Sequence, residues 1–187
     1  MSECLNAVRQ ILAAARFAAE RHAAQRRKGR GAEPYVNHLL EVAELLARTA
    51  DSLDTSLIVA ALLHDTIEDV GVTRAELAAR FGEDVAALVA QVSDDKSLPK
   101  VARKMLQLEN AQNKSPRAQA LSASDKIANL RSIVHSPPAD WSFERKLEYV
   151  RWARQVVGRF TGLNGRLAEE FCQVNAQLQE WEKSGGT

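Results

Sequence analysis

Cysteine is nearly absent from the chain: Cys4 and Cys172 are the only two in 187 residues. They stand far apart and form no pair at metal-ligand spacing. A disulfide framework is therefore excluded, and a reducing compartment is expected. Long hydrophobic runs are missing as well, since none approaches the roughly 18–20 residues that a membrane span requires. The early apolar stretch is interrupted by Arg9 and Arg16, which breaks any signal-peptide pattern. Charge of one sign is equally scarce, with 25 Lys and Arg against 24 Asp and Glu for a formal net charge of +1. That balance gives no general attraction to nucleic acid or to a membrane surface. A soluble, cytoplasmic protein is expected, and the composition leaves its oligomeric state open.

Strand-like alternation is also nearly absent, while Ala, Leu, Glu, Arg and Gln abound. The chain is therefore expected to be all-α. Its length suits a single domain over residues 1–183, followed by a loose tail at 184–187. The first helix is expected from about Cys4 to Arg27, ending in the basic, glycine-punctuated RRKGRGAEP. A second starts near Tyr35. The third, about Asp54 to Glu68, is apolar almost all round (LIVAALL) and should be buried and central. Thr73 with Glu76 forms a capping box for a short helix ended by Gly82. Another helix follows to about Val92. Leu98–Ala111 reads as amphipathic with a basic outer side. Ser115 and Pro116 open a helix that reaches Asn129. Ser142–Phe160 and Leu163–Trp181 supply the last two.

Within the third helix, LLHDTIED carries the chemistry. Residues four apart share a helical face, so His64 stacks over Glu68 and Asp65 over Asp69. Three clustered carboxylates repel one another unless a cation sits among them. His38, early in the second helix, and Asp125, in SASDKIANL, are charged or polar groups on helices that are otherwise buried. Together His38, His64, Asp65 and Asp125 make a His₂Asp₂ set from three helices. Such a set suits a borderline-hard divalent ion such as Mn²⁺, and Zn²⁺ and Fe²⁺ fit by ligand type too. His22 and His135 are read as structural or surface residues.

The order PYVNH, LLHDTIED, SDKIANLR resembles the HD-domain hydrolases of the RelA/SpoT homologue type, most of all the stand-alone small alarmone hydrolases. The likeness runs from roughly Phe17 to Asn164 and takes in QRRK, FGEDV, VSDDKSLPK and RKMLQLE. It implies an all-α bundle with a central metal cleft and, with no synthetase segment in the chain, a hydrolase alone. The implied reaction removes the 3′-diphosphate of guanosine tetra- or pentaphosphate as pyrophosphate. It implies Mn²⁺ on His38, His64, Asp65 and Asp125, and catalytic carboxylates at Glu68 and Asp69. The implied partner is a small nucleotide. Arg27, Lys28, Tyr35 and Asn129 are the corresponding substrate-binding candidates, with Arg27 against the base. Lys100, Arg145 and Tyr149 are candidates for the 5′-diphosphate.

The chain departs from the family pattern at two places. Leu39 follows His38 where proline is usual. Ser122, Ala123 and Ser124 precede Asp125 where a basic residue and Leu-Ala are common, and the missing lysine is expected to weaken one phosphate contact. An adenosine 3′-diphosphate alarmone thus stays open beside the guanosine one. Two further alternatives are an HD-type phosphatase that removes a single phosphate and a non-catalytic nucleotide-sensing module.

Overall fold

A computed structural model describes residues 2–186. Among these the architecture is entirely helical apart from two isolated β-bridges. The helices are α1 (Ser2–Arg21), α2 (Val36–Thr49), α3 (Thr55–Leu63), α4 (Thr66–Val70), α5 (Arg74–Phe81), α6 (Glu83–Val92), α7 (Lys100–Glu109), α8 (Pro116–His135), α9 (Phe143–Val157) and α10 (Gly165–Lys183). A 3₁₀ turn at Ala111–Asn113 separates α7 from α8. No helix among the described residues is long and apolar enough to cross a membrane.

α3 is the central rod. Ala60, Ala61 and Leu63 are wholly buried, and α3 packs against α1, α2 and α6. A second core forms where α8 meets α9 and α10, around Ile127, Leu130, Val150, Leu167 and Leu178. α2 joins the two cores, since Val42 and Leu46 face the first and Leu45 the second. The site lies where α2, the end of α3 and α8 converge.

Three boundaries differ from those expected, each for a local reason. α1 stops at Arg21, not Arg27, because the following residues pair with the chain near Pro34: Arg27 N–H donates to Glu33 O and Tyr35 N–H to Gln25 O. This turns QRRK into a loop. α8 runs on past Asn129 to His135, because Leu130 and Ile133 still have core to fill. Most importantly, the expected helix Asp54–Glu68 is broken after Leu63. Thr66 Oγ1 donates to Leu63 O at 2.6 Å, and His64 Nδ1 bonds Ala61 O at 2.8 Å. Side chains thus take carbonyls that the helical ladder would use. His64 and Asp65 occupy the resulting turn.

The basic loop is pinned across the cleft mouth. Gly29 bridges Pro138, and Ala139 N–H donates to Lys28 O at 3.1 Å. A Cβ at Gly29 would fall 2.7 Å from Ser136 O, so only glycine allows this approach. At the other end, Gly186 N–H donates to Trp181 O, folding residues 184–186 back on α10. Thr187 lies outside the described residues.

Candidate metal centre and cleft

The break in α3–α4 places His64 and Asp65 beside groups from two other helices. Donor atoms of His38, His64 and Asp65 all lie within 4.8 Å of one another. Asp125 Oδ1 stands 3.1 Å from His38 Nε2 and 3.8 Å from His64 Nε2. Both imidazoles are buried.

The hydrogen bonding fits a cation here. His64 Nδ1 faces the Ala61 carbonyl, which can only accept, so Nδ1 carries the proton and Nε2 presents a lone pair. That lone pair lies 3.1 Å from Asp65 Oδ2, and Nε2 is buried with no hydrogen-bond partner. Two electron-rich atoms at that distance need a positive charge between them, which a divalent ion or a second imidazole proton supplies. A backbone-anchored imidazole of this kind is the common form of a metal-ligating histidine.

The titration shifts follow from the same geometry. Burial works against the charged form of Asp65, but the adjacent His64 ring outweighs it and holds the carboxyl well below its usual range. Asp125 behaves alike: burial is overcome by the Lys126 ammonium and the two imidazoles. Burial would lower His64, yet the carboxylates raise it above an ordinary histidine. His38 is lowered, mainly by burial.

Asp69 lies one turn of α4 after Asp65, its N–H donating to Asp65 O at 2.8 Å, and both Glu68 and Asp69 also meet protein donors. Glu68 Oε2 accepts from Asp94 N–H at 3.2 Å, and its Oε1 accepts from Arg103 Nη1 at 3.3 Å. Asp69 accepts from Gln25 Nε2 at 2.8 Å and from Lys96 Nζ at 2.5 Å. The acidic run is therefore neutralised in part by protein cations, not by a metal alone. Burial raises the Glu68 carboxyl pKa.

The substrate candidates gather around this floor. Tyr35 OH donates to Asp65 Oδ2 at 2.7 Å. Asn129 Nδ2 donates to Asp125 Oδ1 at 2.6 Å, while its Oδ1 accepts both Arg27 Nη atoms at 3.2 Å. Arg27 and Asn129 line a cavity of about 370 Å³ together with Lys28, Tyr35, Glu68 and Asp69. Lys100, Arg145 and Tyr149 line a neighbouring cavity of about 480 Å³, and Lys28, Trp141 and Tyr149 border both. Both volumes are of the size that takes small ligands. Arg145 lies 4.5 Å over the Trp141 ring, and Tyr149 sits between Trp141 and Trp152.

Several contributors were not singled out from sequence. Arg103 belongs to the amphipathic α7, whose charged positions look like a solvated face, yet its side chain is 22 % exposed and turned to Glu68. Asp94 and Lys96 sit in the VSDDKSLPK run, which belongs to the family resemblance but gave neither residue a role. His22, read as structural or surface, is buried, stacks on Tyr35 and bonds Gln25 Oε1 at 2.6 Å. It thereby steadies the amide that holds Asp69.

Comparison with known proteins identifies the family. A sequence profile of the HD domain matches residues 14–153. The chain is 46 % identical over 157 residues to a Xenopus tropicalis protein named guanosine-3′,5′-bis(diphosphate) 3′-pyrophosphohydrolase MESH1, covering 84 % of this chain and 88 % of the relative. The Homo sapiens protein of that name is 46 % identical over 168 residues, covering 90 % and 94 %. A solved structure described as a metazoan ortholog of SpoT that hydrolyzes ppGpp superposes with a TM-score of 0.86 at 39 % identity, covering 90 % of this chain and 94 % of the other.

Proposed function

The chain belongs to the HD-domain family, and on that premise we propose that it hydrolyses guanosine 3′,5′-bis(diphosphate), ppGpp, to GDP and pyrophosphate. One observation carries this: two imidazoles and two carboxylates converge beside a cavity with cationic and aromatic walls, and Glu68 borders both that cavity and the small one lined by His64, Asp65 and Asp125. A substrate bearing two diphosphates on a nucleoside matches such walls.

His38, His64, Asp65 and Asp125 would hold the divalent ion, with Mn²⁺ proposed for this donor set. When bound, the ion supplies an acidified water and offsets negative charge on the phosphoryl oxygens. Tyr35 keeps Asp65 oriented by its 2.7 Å bond, and Asn129 does the same for Asp125 at 2.6 Å. Arg27, held by Asn129, offers a planar guanidinium to the base or ribose side of the nucleotide. Lys28, Lys100 and Arg145 neutralise the 5′-diphosphate in the larger lobe.

The water oxygen bonds to the phosphorus attached to ribose O3′, and the P–O3′ bond breaks. Glu68, raised by burial, takes the proton that the water gives up, and the Glu68 and Asp69 carboxyls return one proton to O3′ as GDP leaves. Glu68 and Asp69 lie side by side in α4 and act as a coupled pair in this transfer. Pyrophosphate carries away the remaining charge.

The test is a substrate panel with product identification. Metal-loaded protein incubated with ppGpp should release pyrophosphate and GDP, and chelation should stop it. Release of inorganic phosphate from nucleotides in general, with ppGpp left intact, would contradict the assignment. The adenosine analogue in the same panel decides which base is preferred.

A further inference from the structure

We propose that Lys114 is a substrate-binding residue that grips the phosphoryl oxygens of the diphosphate being removed, a role that rests on the reaction proposed above. Lys114 follows the 3₁₀ turn and lies just before α8. Its side chain reaches inward to a cavity of about 50 Å³ that it shares with His64, Asp65, Glu68, Ser122 and Asp125. That space has room for a small polar group and none for a ribose or a base.

The ammonium is under-partnered. Its hydrogen-bond partner among the described residues is the Ser122 hydroxyl, at 3.3 Å. Lys126, which lines the same cavity, differs: its ammonium is paired with Asp125 Oδ2 at 2.8 Å. Asp94 and Asp125 act on Lys114 only at longer range, and burial pushes its ammonium down to about 8. A largely buried ammonium without a close counter-ion is costly unless an anion comes to it. A phosphoryl group placed beside His64 and Asp125 would be that anion.

The placement also alters the expectation attached to Ser122. The missing lysine at that position leaves no gap in the cationic lining, because Lys114 brings an ammonium to the Ser122 hydroxyl from outside α8. Positions 114 and 122 therefore serve one spot.

Titration of metal-loaded protein with inorganic pyrophosphate, followed calorimetrically, tests this without turnover. Lys114→Met should weaken pyrophosphate binding about tenfold or more, the usual worth of a charge-assisted hydrogen bond. GDP binding should stay within about twofold, because Lys114 does not line the cavity assigned to the 5′-diphosphate. Lys114→Ser should lose affinity likewise, and the paired Lys114→Ser, Ser122→Lys variant should recover it. That pair keeps the test open should Lys114→Met fail to fold. Pyrophosphate affinity unchanged in Lys114→Met, or no recovery in the pair, overturns the proposal. Lys114-dependent pyrophosphate binding by a protein that leaves ppGpp intact would overturn the proposed reaction and leave this site standing.

Discussion

Tyr35 and Asp65 are joined by a 2.7 Å hydrogen bond, the phenol donating to Oδ2, across 30 positions of sequence. Burial and the Asp65 charge together raise the Tyr35 pKa, so the phenol remains a donor. The bond holds the same oxygen that faces the imidazoles, 3.1 Å from His64 Nε2 and 3.9 Å from His38 Nε2.

Tyr35→Phe should therefore weaken metal binding about tenfold, the lower end of the range for losing a partner of a metal ligand. The fold should be retained, since the ring still stacks on His22. Equilibrium metal titration checks this, and an unchanged affinity would remove Tyr35 from the supporting set.

Arg103 restrains Glu68 from α7. Arg103→Met should lower kcat by about tenfold to a hundredfold through misplacement of the proton-transfer group. Metal content should not change. A variant altered in KM alone would place Arg103 on the substrate instead.

Asp125 and Glu68 divide the work of the site. Asp125→Ala should lose metal and turnover together, whereas Glu68→Gln should keep the metal and lose turnover by about a hundredfold or more. Metal content by elemental analysis beside a pyrophosphate assay separates the two. Full turnover in Asp125→Ala would strike that residue from the ligand set.

Away from the cleft, Glu170 of α10 receives Arg48 of α2 and Arg131 of α8. The Arg48 hydrogen bond, with smaller help from Arg131, lowers the Glu170 pKa against the effect of its partial burial. A depressed carboxyl stabilises the fold above the unfolded pKa of about 4.3 and loses that contribution as pH falls through the folded value. Arg48 is 40 % exposed, so solvent screening limits the gain to about 1 kcal/mol. The melting-temperature gap between wild type and Glu170→Gln should be widest near neutral pH and close below about pH 4. A gap independent of pH would mean the ion pairs contribute nothing.

The all-helical class was legible because nothing in the chain alternates with a strand period, and α3 announced its burial through LIVAALL. The metal-site candidates were legible because polar groups on apolar helices demand a partner, wherever the chain puts it. The turn at His64–Asp65 was not, since it depends on Thr66 and His64 competing for backbone carbonyls, which helical periodicity does not reveal. Arg103 and Lys114 were hidden for a different reason. A lone cation in a basic, amphipathic stretch looks the same whether it meets water or a carboxylate 35 positions away.

Hydrolysis of ppGpp in ¹⁸O-labelled water, with the products weighed by mass spectrometry, tests the central claim most directly. The account predicts one ¹⁸O in pyrophosphate and none in GDP, because water attacks the phosphorus and the P–O3′ bond breaks. Labelled inorganic phosphate with a nucleotide that keeps a 3′-phosphate, or label in the 3′-hydroxyl of GDP, would contradict it.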